Sequence, residues 1–353
     1  MVLSWFWKKG TVWKNLRVLP PKKMVPAVFL LAVFALGGCQ IRGFSKEPIS
    51  KSDFLLNTFV TITIYDSRDE GLLDESLKLC REYENQLSRT LETSEISRMN
   101  NRDPKTKTVA VSHTTAELIQ KGLEFSACSH GAFDITIEPV SSLWDFSGAS
   151  KKVPLKSQLE EAAAKVDYRQ VSVEGNQVQF ASPDIRIELG AIAKGYIADK
   201  IKEYLVGQGV EHALINLGGN VLCIGDKPDG SPFYIGLQMP FQDRNETIAA
   251  VAVRDQSVVT SGIYERYFET DGTGYHHILN PNTGFPYENG LLSVTIISPK
   301  SVDGDGFSTA CFSLGLEEGM ALVNRTEDVY GYFITEDYQI HYSEGAEQLL
   351  FTP

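Results

Sequence analysis

The first 38 residues carry six basic side chains (Lys8, Lys9, Lys14, Arg17, Lys22 and Lys23) and no acidic one. Within them Val25 to Leu36 is a nearly all-apolar stretch of twelve residues, placed directly behind Pro20-Pro21-Lys22-Lys23. As a helix that stretch rises only about 18 Å, too short for a hydrocarbon core of about 30 Å and the right size for the apolar region of a secretory signal. The folding unit is therefore expected to begin beyond it. The whole chain has a net charge of −12, and with the leader removed 27 basic residues face 45 acidic ones, a net −18. A body so acidic repels phosphate backbones, which excludes nucleic acid as a partner. Three of the four tryptophans (Trp5, Trp7 and Trp13) lie in the leader, which also argues against its belonging to the core.

The leader ends in Leu36-Gly37-Gly38-Cys39. Small residues before a cysteine resemble the bacterial lipobox, in which Cys39 becomes a diacylglyceryl-modified N-terminus; a plain signal anchor with a chance cysteine is the alternative. The expected organisation is a lipoprotein signal peptide over 1–38, a polar tether over 39–52 and one catalytic domain over 53–353. The lipid, palmitate included, would hold the protein on the extracytoplasmic face of the cell membrane. The remaining cysteines, Cys80, Cys128, Cys223 and Cys311, form no C-x-x-C pair, so zinc-ribbon and thioredoxin-like readings have no support.

Hydrophobic patterning gives mixed α and β without repeats. Phe54 to Tyr65 reads as a strand, and Leu73, Leu77, Cys80, Tyr83 and Leu87 recur at helical spacing. Glu117 to Cys128 is a second helix, and Val171 to Phe180 alternates around Gly175-Asn176 as a hairpin. Ile185 to Leu189 is expected as a short strand feeding a helix with Ala193, Ile197, Ile201 and Leu205 on one face. Further strands are expected at 213–224, 233–237, 248–259, 291–297, 331–335 and 339–342, with a helix from about Gly306. No regular β-α-β alternation appears, so the fold class is α+β, with mixed, largely antiparallel sheets and packed helices.

Three clusters carry chemical potential. In Glu188-Leu-Gly190-Ala191-Ile-Ala-Lys194-Gly195, two glycines join a strand to a helix and a lysine sits in the first turn, a geometry that suits either a phosphate or a tight structural turn. It lacks the Gly-Lys-Ser/Thr of a P-loop. In Asp305-Gly-Phe-Ser-Thr309, a carboxylate and a hydroxyl stand four residues apart, which suits Mg²⁺ with phosphate or, alternatively, a capped helix start. In His276-His277-Ile-Leu279-Asn-Pro, neighbouring histidines on a strand face opposite ways, so one of them can serve as acid or base while the other is an ordinary surface residue.

Taken together and in order, these segments resemble the FAD:protein FMN transferases, the ApbE family, over residues 53 to 350. The resemblance runs through Ser94-Glu-Ile-Ser-Arg-Met-Asn100, Gly131-Ala132-Phe133-Asp134-Ile-Thr-Ile-Glu-Pro139, the Glu188 to Gly195 run, Asn216-Leu-Gly-Gly-Asn220, His277 to Gly284 and Asp305 to Thr309. It implies an ApbE-like, T-fold-like architecture. It also implies Mg²⁺-dependent transfer of FMN from FAD to a threonine of an acceptor flavoprotein, a redox-complex subunit, through a phosphoester bond with release of AMP. Carried over residue by residue, it assigns Ala191, Asp305 and Thr309 to the metal and His277 to the catalytic base. Leu56, Thr90, Ala132, Phe133, Asp134, Glu188, Lys194 and Leu279 would bind the flavin nucleotide.

Three positions depart from the family pattern. Thr90 stands where many members have tyrosine near the isoalloxazine, Glu188 where aspartate is common, and Asn57-Thr58 where glycine-threonine is common. Two alternatives stay open: an FAD pyrophosphate hydrolase giving FMN and AMP, and a flavin-binding lipoprotein without turnover.

Overall fold

The computed structural model describes residues 47–146, 152–243 and 245–351. The expected signal segment, Cys39 and most of the tether lie outside the described residues. An eight-stranded sheet forms the centre, in the order Ile49–Leu55, Thr58–Ile64, Ala213–Leu217, Asn220–Ile224, Ser257–Gly262, Leu291–Ser298, Tyr330–Thr335 and Ile340–Tyr342. Every neighbouring pair in it is antiparallel. Two three-stranded sheets and the hairpin Tyr267–Thr270 with Thr273–His276 complete the β structure among the described residues. The helices are α1 (Glu70–Leu87), α2 (Glu95–Asn100), α3 (His113–Cys128), α4 (Glu138–Ser141), α5 (Lys156–Ala163), α6 (Ala193–Gly207), α7 (Ser301–Leu314) and α8 (Leu316–Asn324). The α+β expectation therefore holds. No helix among the described residues is long and apolar enough to cross a membrane.

Burial on both faces explains why the central strands are so apolar. Along Asn220–Ile224, Leu222 and Ile224 join a core with α1 and α6, whereas Val221 and Cys223 point the other way, into a core with Phe233, Leu237, Val251 and Val253. On the helical side Leu73, Leu77 and Cys80 of α1 and Ile197, Ile201 and Leu205 of α6 pack onto Val60, Ile62 and Ile64. Each such side chain removed from water contributes about 1.5–3 kcal/mol, which makes this layer a firm backing for the loops above it. Helices α6 and α7 approach so closely that a Cβ on Gly195 would lie 2.2 Å from the Ser301 carbonyl oxygen. Only glycine permits that contact.

Several elements differ from the sequence expectation. The Phe54 to Tyr65 strand is a hairpin whose turn residues Leu56 and Asn57 both adopt left-handed φ, 54° and 57°, without the glycine that usually signals such a turn. Its first strand starts at Ile49, so residues 49–52, expected as tether, belong to the sheet. The 213–224 run is also a hairpin, turning at Gly218-Gly219, and the 248–259 run is two strands, Thr247–Val253 and Ser257–Gly262, that enter different sheets. Residues 185–189 are extended but pair with no strand. Asn100 there both donates to the Ile187 carbonyl and accepts from its N–H, each at 2.8 Å, and the Arg102 guanidinium bonds the Ile185 carbonyl at 2.9 Å. Finally, α7 begins at Ser301 instead of near Gly306, because the Asp199 carboxylate of α6 caps it by accepting from the N–H groups of Ser301 and Val302.

Candidate active site

A cleft of about 550 Å³ opens beside the turn at 188–195, the N-terminal half of α7 and the 276–281 segment. Ten of the predicted site residues line it: Ala132, Phe133 and Asp134; Glu188, Ala191 and Lys194; His277 and Leu279; Asp305 and Thr309. These come from four chain segments with no sequence proximity. Two others do not line the cleft. Leu56 sits in the hairpin turn and packs against the α1–α6 core, leaving its neighbours Asn57 and Thr58 to face the cavity. Thr90 is exposed, its hydroxyl 3.1 Å from that of Ser88.

The start of α7 at Ser301, five residues before the expected Gly306, is what places Asp305 inside the protein. Because the helix is already under way at Ser301, Asp305 projects sideways from it and is only 4% exposed. One carboxylate oxygen accepts from the Asn220 amide at 3.0 Å and the other from the Gly195 N–H. In a regular helix that N–H would bond the Ala191 carbonyl; here it is diverted to Asp305. Burial pushes the Asp305 carboxyl above the usual carboxylate range, and the nearby Lys194 together with the two hydrogen bonds only partly counters it. The site thus holds a buried carboxylate short of positive charge. Thr309, one turn further on, lies with its hydroxyl 3.0 Å from Ser261 Oγ.

The two histidines part as expected, but the strand ends at His276, His277 opens the following loop, and the partner expected at the surface, His276, is buried. His276 is buried, its Nε2 2.9 Å from the Tyr287 carbonyl oxygen and its ring edge-on to Phe312. His277 lines the cleft with Nδ1 3.3 Å from the Arg266 carbonyl oxygen. If Nδ1 donates there, Nε2 carries the lone pair. Desolvation, then the charge of Arg266 and the neighbouring His276, hold the His277 pKa down to about 3, so the imidazole is neutral at physiological pH.

Two lining carboxylates behave differently. Asp134 lines the cleft and is also tied to its own loop: one oxygen accepts from the Thr136 N–H and hydroxyl, both at 2.7 Å, and the other from the Tyr168 N–H at 3.0 Å. It fixes the loop that offers Ala132 and Phe133. Glu188 also reaches the cleft, with Arg89 Nε 3.1 Å from one oxygen and the Ser141 hydroxyl donating to the other. Leu279 is buried against Trp144 and Leu159, and its backbone bridges to Pro286. The structure also brings in residues the sequence reading did not single out: Ser261, Tyr264, Arg266, Tyr267 and Phe146. The first four follow or end the Ser257–Gly262 strand, and no spacing marked that stretch as functional.

Among the described residues no group of three or more His, Cys, Asp or Glu side chains could hold a metal ion. The donors that line this cleft, the buried Asp305 carboxylate, the Thr309 hydroxyl and the Ala191 carbonyl that loses its helical N–H partner to Asp305, are all hard oxygens and suit Mg²⁺ whose remaining ligands are water or phosphate.

An α+β scaffold carrying a cleft with a lysine, a neutral imidazole and a buried carboxylate beside a hydroxyl suits the class of enzymes that act on phosphate esters and anhydrides. The chain matches the family model of the ApbE family over residues 56–333 and belongs to that family. A Klebsiella pneumoniae FAD:protein FMN transferase is 38% identical over 86% of this chain and 94% of the relative, and one from Treponema pallidum is 33% identical over 90% and 92%. The solved flavin transferase ApbE from Vibrio cholerae superposes with a TM-score of 0.78 at 27% identity, covering 86% of this chain and 99% of that one. The ApbE protein of Thermotoga maritima gives 0.79 at 30% identity, covering 87% and 100%.

Proposed function

We propose that this chain transfers FMN from FAD to a threonine hydroxyl of an acceptor protein, releasing AMP. The observation that carries the reading is the convergence on one cleft of buried Asp305 with Thr309, Lys194 and a neutral His277. The threonine Oγ forms a bond to the FMN phosphorus while the bond from that phosphorus to the bridging oxygen breaks, and AMP departs with that oxygen. His277 Nε2 takes the threonine proton. Lys194 and Arg266 give the anionic pyrophosphate two fixed positive charges. Asp305, Thr309 and the Ala191 carbonyl are the groups that would hold Mg²⁺, which when bound supplies charge neutralisation at the pyrophosphate. Phe133, Leu279 and Phe146 offer apolar surface for the rings, and Glu188 accepts from sugar or adenine donors.

The low basicity of His277 in the ligand-free protein fits this order of events. Desolvation is the largest cause of that depression, and the charges of Arg266 and, least, Lys194 add to it; an incoming pyrophosphate offsets those two charges and leaves the desolvation in place.

The leader supports lipid attachment at Cys39 and residence on the extracytoplasmic face of the membrane, with a membrane redox-complex subunit as acceptor. Cys39→Ser should leave the protein unprocessed or shed from membranes; a processed, fully retained variant would contradict the anchor.

The reading is tested by incubating the purified full-length protein with FAD and Mg²⁺, with and without an acceptor protein modified by the Vibrio cholerae relative. AMP release together with covalent flavin on the acceptor is expected. AMP accompanied only by free FMN would make the chain an FAD hydrolase, and no AMP at all a carrier.

A further inference from the structure

Arg89 is not in the wall of the cleft, yet it is bound to a residue that is. Its Nε lies 3.1 Å from Glu188 Oε1, with the two side chains 28% and 22% exposed. The Ser141 hydroxyl donates to the other carboxylate oxygen, so Glu188 is held at both ends while keeping lone pairs free toward the cavity.

Both partners stand on pinned backbone. Ser88, the residue after α1, receives the N–H groups of Thr90 and Leu91 on its hydroxyl, each at 3.2 Å, and its carbonyl accepts from the Ser94 hydroxyl. The turn that carries Arg89 is thereby closed on itself. Across from it the Glu188 N–H donates to the Ile135 carbonyl at 2.8 Å, and Ile187 is clamped by Asn100 on both its backbone groups. A long, flexible arginine is otherwise costly to hold in one geometry; here the backbone has already been ordered by other bonds.

A second carboxylate explains why a cation is needed at this spot. Glu138, the first residue of α4, is half-buried, and its carboxyl is pushed up by burial and by the charge of Glu188 while Arg89 and Arg186 pull it down. Glu138 lies outside the cleft wall, but its charge and that of Glu188 act on each other, and Arg89 acts on both. Without it the pair would repel and Glu188 would be free to turn away from the cavity.

We propose that Arg89 is a positioning residue that fixes the Glu188 carboxylate for accepting hydrogen bonds from the sugar hydroxyls or exocyclic amine of the nucleotide half that leaves. The inference rests on the FAD-binding reading above. Thr90 is consistent with it: the exposed neighbour contributes nothing to the cavity, so the role of this turn falls to the side chain one position earlier.

The test is a double-mutant cycle on the full-length protein, read by equilibrium FAD binding through flavin fluorescence and by steady-state AMP release. Arg89→Met is expected to weaken FAD binding about ten-fold, as suits a charged hydrogen bond out of bulk water. Glu188→Gln should do the same, and the double variant should be no weaker than Glu188→Gln alone, since both changes break one interaction. KM for FAD should follow the binding constant while kcat stays within about two-fold, because the contact is made equally in ground and transition states. Arg89→Lys should restore part of the affinity, and it carries the test should Arg89→Met fail to fold. Additive losses in the cycle, or unchanged FAD affinity in both Arg89 variants, would overturn the proposal. A wild-type protein that binds no FAD would instead contradict the functional reading.

Discussion

If His277 is the base, replacing it by alanine removes the proton acceptor and leaves the side chains of Lys194, Arg266 and Asp305 in place. The imidazole is anchored only by the Arg266 carbonyl, which also accepts the His277 backbone N–H at 3.2 Å, so the loop keeps one tie after truncation. Fold and FAD affinity should therefore survive, the affinity within a few-fold. The transfer rate should fall by about 10²–10⁴, the worth of a positioned base. His276→Ala should act differently, lowering stability through the lost Tyr287 contact and the vacated edge of Phe312. The pH profile adds a sign. Protonation of His277 removes the base, so its contribution to rate is lost as pH falls through its pKa. In the free enzyme that value is about 3, which puts the acid limb of kcat/KM from this group far below neutrality. The kcat limb, which reports the FAD complex, should lie at higher pH, since the pyrophosphate offsets Arg266 and Lys194. The same depression makes the unfolded chain bind more protons between about pH 3 and 6.5, so stability rises with pH across that window. Denaturation midpoints of His277→Ala should accordingly slope less there than those of the wild type. Quenched-flow measurement of AMP release in single turnovers reads the rate directly. A His277→Ala rate within ten-fold of wild type would refute the assignment, and with it the route of the proton.

Three further outcomes follow from the geometry. Asp305→Ala should abolish AMP release while the protein still unfolds cooperatively, checked by activity across a Mg²⁺ titration; full activity in chelated buffer would contradict the cation site. Gly195→Ala forces a Cβ onto the backbone of α7, which cannot yield as a side chain would, so a loss of about 3 kcal/mol is expected in urea unfolding. Asn100→Ala leaves the N–H and carbonyl of Ile187 unpartnered in the core and should cost about 2 kcal/mol, together with weaker FAD binding because Glu188 follows Ile187.

What the sequence made legible and what it concealed divide along a physical line. Local signals were readable: the α1 stripe Leu73, Leu77 and Cys80, the Gly175-Asn176 hairpin, and the apolar runs of the central strands. The turn at Glu188 to Gly195 and the Asp305–Thr309 and His276–His277 pairs were readable from residue types that suit phosphate chemistry, whereas Ala132, Phe133, Asp134 and Leu279 were reached only through the family resemblance. Hidden were features fixed by a partner distant in the chain. The start of α7 depends on Asp199, about a hundred residues earlier, whose own carboxyl is raised to about 6 by burial. Residues 185–189 alternate like a strand, with Ile185, Ile187 and Leu189 buried, but Asn100 and Arg102 take the backbone bonds that a neighbouring strand would have made. The turn at Leu56-Asn57 carries no glycine, so nothing in its composition announced left-handed backbone. Asp134 lines the cleft as expected, but its hold on the Tyr168 N–H, 34 residues away, was not legible.

A transferase cleft passes FMN to a protein hydroxyl instead of to water. The measurement that tests it most directly is the ratio of AMP released to FMN bound covalently on acceptor threonine, counted in the same reaction by nucleotide chromatography and intact-protein mass spectrometry. A ratio of about one is expected with wild-type protein, with both products falling together in His277→Ala. AMP released with free FMN and an unmodified acceptor would contradict it.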